Sequence, residues 1–197
     1  MRYHNITKDD MKNGDGLRVV LWVAGCLHRC RECQNPCTWD PEGGLLFDDD
    51  AKQEIFEQLD KSYISGITFS GGDPLHPANR AYVEDLCKEI KNKYPDKTIW
   101  LYTGDSWEGI YDYSLMKYVD VCVDGEFVVE KKDVTLMWKG SSNQRVIDVQ
   151  KTLLKEDKTI PVLHCGDYYS NPITPDFVQE ENISGCGCGC GGKEITP

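Results

Sequence analysis

Apolar positions along this chain fall into short blocks whose period switches between that of a strand and that of a helix. Val19-Val20-Leu21-Trp22-Val23 is a β-branched and aromatic run and reads as a strand. Asp48-Asp49-Asp50 can cap and charge the start of a helix that carries Ile55, Phe56 and Leu59 on one face. Ile64 to Phe69 reads as a second strand, halted by Ser70-Gly71-Gly72-Asp73-Pro74. Helical spacing of Val83, Leu86, Cys87 and Ile90 predicts a helix over about 77–94, ended by Pro95. Thr98 to Tyr102 is the next strand and stops at Thr103-Gly104. A weaker helix runs through Leu115 and Met116, and Val119 to Val123 forms a strand closing at Asp124-Gly125. Beyond Gly125 the pattern loosens. Val134 to Trp138 and Arg145 to Val149 read as short strands, and Ile160 to His164 as an edge strand because of Pro161.

Strands separated by helices of this length predict βαβ units and a parallel sheet. In such sheets functional residues gather at the carboxyl ends of the strands, and each Gly- or Cys-bearing motif here falls at that end of its strand. The shared placement predicts one common site.

Length and composition narrow the class. At 197 residues the chain holds one domain, read as 1–166, followed by an extension over 167–197 whose end, Gly185-Cys186-Gly187-Cys188-Gly189-Cys190-Gly191-Gly192, is of low complexity. The net charge of −11 argues against general nucleic-acid binding and leaves room only for a localised basic patch. No signal-peptide pattern follows Met1, and the longest apolar run, Val19 to Leu27, is too short to span a bilayer. The expectation is a cytoplasmic protein with no membrane contact. In a reducing compartment, ten cysteines in a chain of this size point to metal ligation or catalysis rather than a disulfide framework.

The chemistry concentrates in Gly25-Cys26-Leu27-His28-Arg29-Cys30-Arg31-Glu32-Cys33-Gln34-Asn35. Three thiolates at C-x3-C-x2-C spacing can hold three corners of an iron–sulfur cluster and leave one iron open. The alternative is a closed zinc knuckle in which Cys37 supplies the fourth ligand.

This loop resembles that of the radical S-adenosylmethionine enzymes. The resemblance implies that Cys26, Cys30 and Cys33 bind a [4Fe-4S] cluster. Its fourth iron would take the amino and carboxylate groups of S-adenosylmethionine, whose reductive cleavage releases methionine and a 5′-deoxyadenosyl radical. Ser70-Gly71-Gly72-Asp73-Pro74 resembles the superfamily's Gly-Gly-Glu-Pro element, with Asp in place of Glu, whose exposed backbone engages the cosubstrate amino group. The fold implied is an α/β incomplete (β/α) barrel, with parallel strands, helices outside and one side open to a folded partner.

A narrower resemblance is to the activating enzymes of anaerobic ribonucleotide reductase, which are glycyl-radical activases. It rests on the cysteine loop with Asn35, on Phe69 to Leu75, on Tyr102-Thr103-Gly104, on Val123 to Phe127 and on Gly140-Ser141-Ser142-Asn143-Gln144-Arg145-Val146-Ile147-Asp148. What it implies is removal of a hydrogen from a backbone glycine of the reductase, with flavodoxin or ferredoxin as electron donor. The cosubstrate contacts it suggests are His28, Ser70, Gly71, Gly72, Asp73, Asp124, Asn143 and Arg145. Bland readings stand beside these: Asp124 as a turn cap, His28 as a packing residue, Asn143 and Arg145 as surface hydrogen-bonders. Arg31-Glu32 departs from the family's usual small residues, and Cys186, Cys188 and Cys190 have no family counterpart. For those three thiols, soft-metal binding, a redox relay, partner docking and an inert tail all stay open. Two rival functions remain at this point: a radical enzyme with another target, either another glycyl-radical enzyme or a small molecule, and a non-catalytic cysteine-rich metal protein.

Overall fold

The computed structural model describes residues 1–164. The extension 167–197, with Cys186, Cys188 and Cys190, and Cys165 lie outside the described residues. One eight-stranded sheet organises the chain, in the order β3-β1-β2-β4-β5-β6-β7-β8. Its strands are β1 (Arg2–Asp10), β2 (Leu17–Val23), β3 (Leu45–Leu46), β4 (Ile64–Gly71), β5 (Thr98–Tyr102), β6 (Val121–Asp124), β7 (Arg145–Asp148) and β8 (Val162–Leu163). Helices α1 (Asp49–Leu59), α2 (Arg80–Lys93), α3 (Trp107–Ile110) and α4 (Val149–Leu153) lie between them.

The fold is α/β, but its sheet is mixed. The expected parallel strands are β2, β4, β5 and β6. β1 and β7 run antiparallel to their neighbours. Connection length accounts for the first exception, since the few residues between β1 and β2 allow a hairpin but not a crossover.

Period-two alternation sorts the parallel strands into two faces. Val19, Leu21 and Val23 of β2, Ile67 and Phe69 of β4, and Ile99 and Leu101 of β5 share one buried cluster with residues of α1, α2 and α3. The alternate positions face the other way, where Trp100, Val121, Val123 and Val146 form a second, smaller cluster with Tyr102 and Trp138. Apolar cover therefore lies on the helix side, and the opposite face is left to line a cavity.

Local chemistry sets the helix starts and stops. Asp48 Oδ1 accepts from Ala51 N at 3.0 Å, capping α1. Lys91 and Lys93 fall in the last turn of α2, where cations complement the helix end. The weaker predicted helix resolves into α3 and a 3-10 turn at Ser114–Tyr118.

One predicted strand is absent. The segment from Val134 to Trp138 turns instead, because Asp133 Oδ1 accepts from Thr135 N at 2.8 Å and from Thr135 Oγ1 at 2.6 Å. Trp138 then takes a left-handed φ of 61°. A Lys132–Ser141 bridge closes the excursion.

Below the cavity, Arg18 is fully buried and spans three strands. All five of its N–H donors are used, on Thr68 Oγ1, Thr98 Oγ1 and the carbonyls of Asp15, Ile67 and Thr98, at 2.7–3.0 Å. Every acceptor is neutral, and burial pulls its pKa down to about 10. His164, just after β8, meets Asp15, just before β2, at 2.7 Å, and its ring packs on Trp100 and Trp138.

Candidate functional site

The site starts where β2 ends. Gly25 turns the chain at φ 100°, and its N–H donates to Thr38 O at 2.7 Å while Cys26 N donates to Trp39 O at 3.1 Å. These two bonds stitch the legs of the cysteine loop together. Inside it, Cys33 N donates to Cys30 O at 3.1 Å and Asn35 N to Cys33 Sγ at 3.3 Å. Arg29 and Glu32 adopt left-handed φ values of 48° and 56°, one in each interval between cysteines. Glu32 thus serves a sharp reversal, and Arg31 pairs with Glu130 outside the loop. Of the two unexpected charges, Arg31 therefore has a local partner at the loop surface.

Cys26, Cys30 and Cys33 all line one cavity of about 510 Å³. Burial pushes the thiols of Cys26 and Cys30 above the ordinary range, so a bound cation would be needed to hold them as thiolates near neutrality. Cys37 is exposed and does not line the cavity. A tetrahedral zinc site needs thiolate sulfurs about 3.8 Å apart, from zinc–sulfur bonds of about 2.3 Å. Among the described residues, the one set of three or more such ligand atoms mutually within 4.8 Å is His28, Asp73 and Asp105, with no cysteine in it.

Ser70 and Gly71, the last residues of β4, and Gly72 and Asp73 just beyond it line the same cavity. Gly72 N donates to Val23 O, and Asp73 N to Gly25 O, each at 2.8 Å. A side chain at position 72 has no room: a Cβ there would lie 2.6 Å from Gly25 O and 2.9 Å from Val23 O. The Gly-Gly turn is thus required by its contact with the root of the cysteine loop. Asn79 strengthens the joint, donating through Nδ2 to Ala24 O at 2.8 Å and to Asp73 O at 3.0 Å.

Asp73 is buried and fully engaged. Oδ1 accepts from Leu75 N at 2.8 Å, and Oδ2 accepts from Thr103 Oγ1 at 3.0 Å and Gly104 N at 3.2 Å. Oδ2 also lies 2.8 Å from His28 Nε2, while His28 Nδ1 lies 2.8 Å from Glu126 Oε1. Hydrogen bonds to Asp73 and then Glu126 push the His28 pKa up to about 9 against the effect of burial. As an imidazolium, His28 donates both ring N–H groups to carboxylates. Gly104 makes space for it, since a Cβ there would meet the His28 ring at 2.4 Å. Thr103 and Gly104 of the Tyr102-Thr103-Gly104 motif therefore seat Asp73 and His28.

Asp124, Asn143 and Arg145 do not line the cavity. Asp124, buried at the end of β6, accepts from Trp107 N at 2.7 Å and from Arg145 Nη2 and Nε at 2.5 and 3.1 Å. Arg145 also forks onto Glu108 at 2.8 and 3.0 Å, which holds the Glu108 carboxyl below its usual range and raises the guanidinium. Asn143 Nδ2 donates to Glu126 O at 2.8 Å. The neighbour overlooked in the sequence is Gln144. Its Oε1 accepts from Gly140 N and Ser141 N at 3.0 and 3.2 Å, and its Nε2 donates to Gly125 O at 3.0 Å. Gly140-Ser141-Ser142-Asn143-Gln144-Arg145 is thus a knot tying 125–128 to the start of β7. Trp22 and Tyr102 also line the cavity and were overlooked, although their odd-numbered apolar neighbours Leu21 and Leu101 put them on the opposite face.

Comparison with known proteins agrees with this geometry. A family model described as a 4Fe-4S single cluster domain matches residues 12–147, which include all three cavity cysteines. The chain is 46% identical over 147 residues to the anaerobic ribonucleoside-triphosphate reductase-activating protein of Enterobacteria phage T4, covering 74% of this chain and 93% of that protein. It is 40% identical over 148 residues to the protein of that name from Vibrio cholerae, covering 73% and 96%. The Escherichia coli K12 protein of that name is 39% identical over 150 residues, covering 74% and 97%.

Proposed function

The chain belongs to the family of anaerobic ribonucleoside-triphosphate reductase-activating proteins, and from that premise we propose how its cavity performs the activation. The protein is an enzyme with a 4Fe-4S domain that activates anaerobic ribonucleotide reductase by placing a glycyl radical on it. In our reading, Cys26, Cys30 and Cys33 hold the cluster, and Cys37 stays outside the ligand set. The observation that carries this is the convergence of those three thiols with Gly71, Gly72 and Asp73 on one cavity at the carboxyl ends of adjacent parallel strands.

Held by Cys26, Cys30 and Cys33, the cluster would supply the electron for reductive cleavage of S-adenosylmethionine to methionine and a 5′-deoxyadenosyl radical able to take a hydrogen from a glycine of the reductase. The chain's own residues position and enclose. The stitched legs of the cysteine loop fix the three sulfurs relative to β2. Ser70 to Asp73 present backbone to the cosubstrate, at a place where Gly72 keeps side-chain bulk away. Asp73 and His28 serve mainly to fix this surface, because their hydrogen-bonding atoms are already engaged. Asp124, Asn143 and Arg145 act one layer behind, holding the 125–128 segment over the cavity. Trp22, Tyr102 and Phe127 wall the cavity and reduce water access, which protects a carbon radical.

The scaffold is read as an incomplete (β/α) barrel. Two features support this: helices packed on one face of the sheet only, and the Asp15–His164 pair linking the loop before β2 to the residue after β8. The catalytic domain spans 1–166, with 167–197 as an extension. Electrons come from a small donor such as flavodoxin or ferredoxin. No described helix is long and apolar enough to cross a membrane.

Electron paramagnetic resonance on an anaerobic mixture of the protein, reductant, S-adenosylmethionine and the reductase tests this reading. A glycyl-radical doublet on the reductase is expected. Cosubstrate cleavage with no doublet would assign the chain a different target, and no cleavage at all would remove the radical mechanism.

A further inference from the structure

Four exposed apolar side chains sit on the very loops that line the cavity. Met11 is 75% exposed and adjoins Lys12, a lining residue. Leu27, 71% exposed, lies between Cys26 and His28. Val134 is 88% exposed and itself lines the cavity, and Met137, 49% exposed, lies between lining residues Leu136 and Trp138. They come from three separate segments: the loop before β2, the cysteine loop and the excursion between β6 and β7. A single exposed leucine means little, but several gathered around one cavity mark a surface that another molecule covers.

Charge points the same way. The chain carries a net −11, yet Lys12, Lys132 and Lys139 line this cavity against two acidic residues, Asp73, which is engaged by His28, Thr103 and Gly104, and Asp133, which is engaged by Thr135. A small cosubstrate is contained by a cavity of about 510 Å³ and has no use for apolar chains displayed outside it on three segments. A folded protein surface is wide enough to reach all of them, and methionine adapts well to such a surface.

Building on the activating function above, we propose that Met11, Leu27, Val134 and Met137, with Lys12 and Lys132, form the docking rim for the reductase. The matching surface on the reductase, around its target glycine, would be an apolar patch flanked by acidic side chains. Such a rim lets binding depend on the partner's folded surface rather than on the glycine segment alone.

The test compares wild type with the double variant Met11→Ser/Met137→Ser and with Leu154→Ser as control, since Leu154 is 87% exposed just beyond α4 and does not line the cavity. Two rates are read: cleavage of S-adenosylmethionine without reductase, and glycyl-radical formation against reductase concentration. The double variant should cleave normally while its KM for the reductase rises about tenfold or more, with the control unchanged. Added salt should raise the wild-type KM further, as expected for a basic rim meeting acidic groups. An unchanged KM, the result if residues 165–197 or a second copy of the chain cover the rim, overturns the proposal. Loss of cleavage in step with radical formation overturns it too, because the two methionines would then serve the cavity itself. A wild-type protein that cleaves the cosubstrate but never yields a glycyl radical refutes the activating function, and is seen before any variant is compared.

Discussion

The parallel strand ends and the antiparallel return through β7 both carry candidate site residues, yet they use them differently. At the ends of β2 and β4, Cys26, Cys30, Cys33 and the Gly71-Gly72 turn face the cavity and are held mostly by backbone. At β6 and β7, Asp124 and Arg145 spend their polar atoms on one another, on Glu108 and on Trp107 N, while Asn143 gives its Nδ2 to Glu126 O and keeps a buried Oδ1 with no hydrogen-bond partner among the described residues. Backbone-held loops leave their side chains free for a ligand, whereas a side-chain knot uses most of them up. On the function proposed above, the first region carries the chemistry and the second supports it.

The largest effect should come from the cysteines. Replacing Cys26, Cys30 or Cys33 with Ala should abolish cleavage of S-adenosylmethionine, while Cys37→Ala should keep both cluster and cleavage. Retained cleavage in any of the first three would break the contrast on its stronger side. Next comes Gly72→Ala. Its Cβ would strike the backbone of Gly25 and Val23, both rigid neighbours, so a stability loss of about 3 kcal/mol and loss of cluster loading are expected. Thermal unfolding and iron content measure the two.

Arg145→Met probes the supporting region. It leaves the buried Asp124 carboxylate without its cation, and unfolding stability should fall by about 2–4 kcal/mol. At a temperature where the variant is folded, its cleavage rate at saturating cosubstrate should stay within about threefold of wild type. A large rise in KM for S-adenosylmethionine with unchanged stability would instead make Arg145 a direct ligand.

The smallest effect is acid dependence at the Glu108–Arg145 pair. Arg145 holds the Glu108 carboxyl below its ordinary range, so the folded state binds this proton less readily than the unfolded chain. Its contribution is present above the unfolded value of about 4.3 and is lost as pH falls through the folded value. Glu108 is half exposed, so screening limits the contribution to about 1 kcal/mol or less. Glu108→Gln should remove that slice of the stability-against-pH curve below pH ~5 and leave the rest.

Much of the first region was legible in the sequence because its signals are local. The β-branched run of β2, the Asp48 cap of α1 and the inward face of α2 each declare themselves within a few residues. C-x3-C-x2-C and Gly71-Gly72 then mark the strand ends by composition. The second region was not legible, because its logic is long-range: Arg145 finds Glu108 and Asp124 some 37 and 21 positions away. β1 escaped notice since Arg2 to Asp10 is mostly polar, and its place in the sheet comes from pairing with β2 and β3 rather than from burial. The Val134 to Trp138 run misled in the other direction. Its apolar composition suits a strand, but the Asp133 turn diverts it to the cavity wall.

Activation as proposed here rests on a cluster held by three thiolates of one loop, with one iron left for the cosubstrate. Mössbauer spectroscopy of the protein loaded with isotopically enriched iron tests it most directly. A [4Fe-4S] signal is expected in which one iron differs from the other three and changes when S-adenosylmethionine is added. Four irons that all ignore the cosubstrate, closed by a further thiolate from Cys37 or the Cys186 to Cys190 segment, would contradict it.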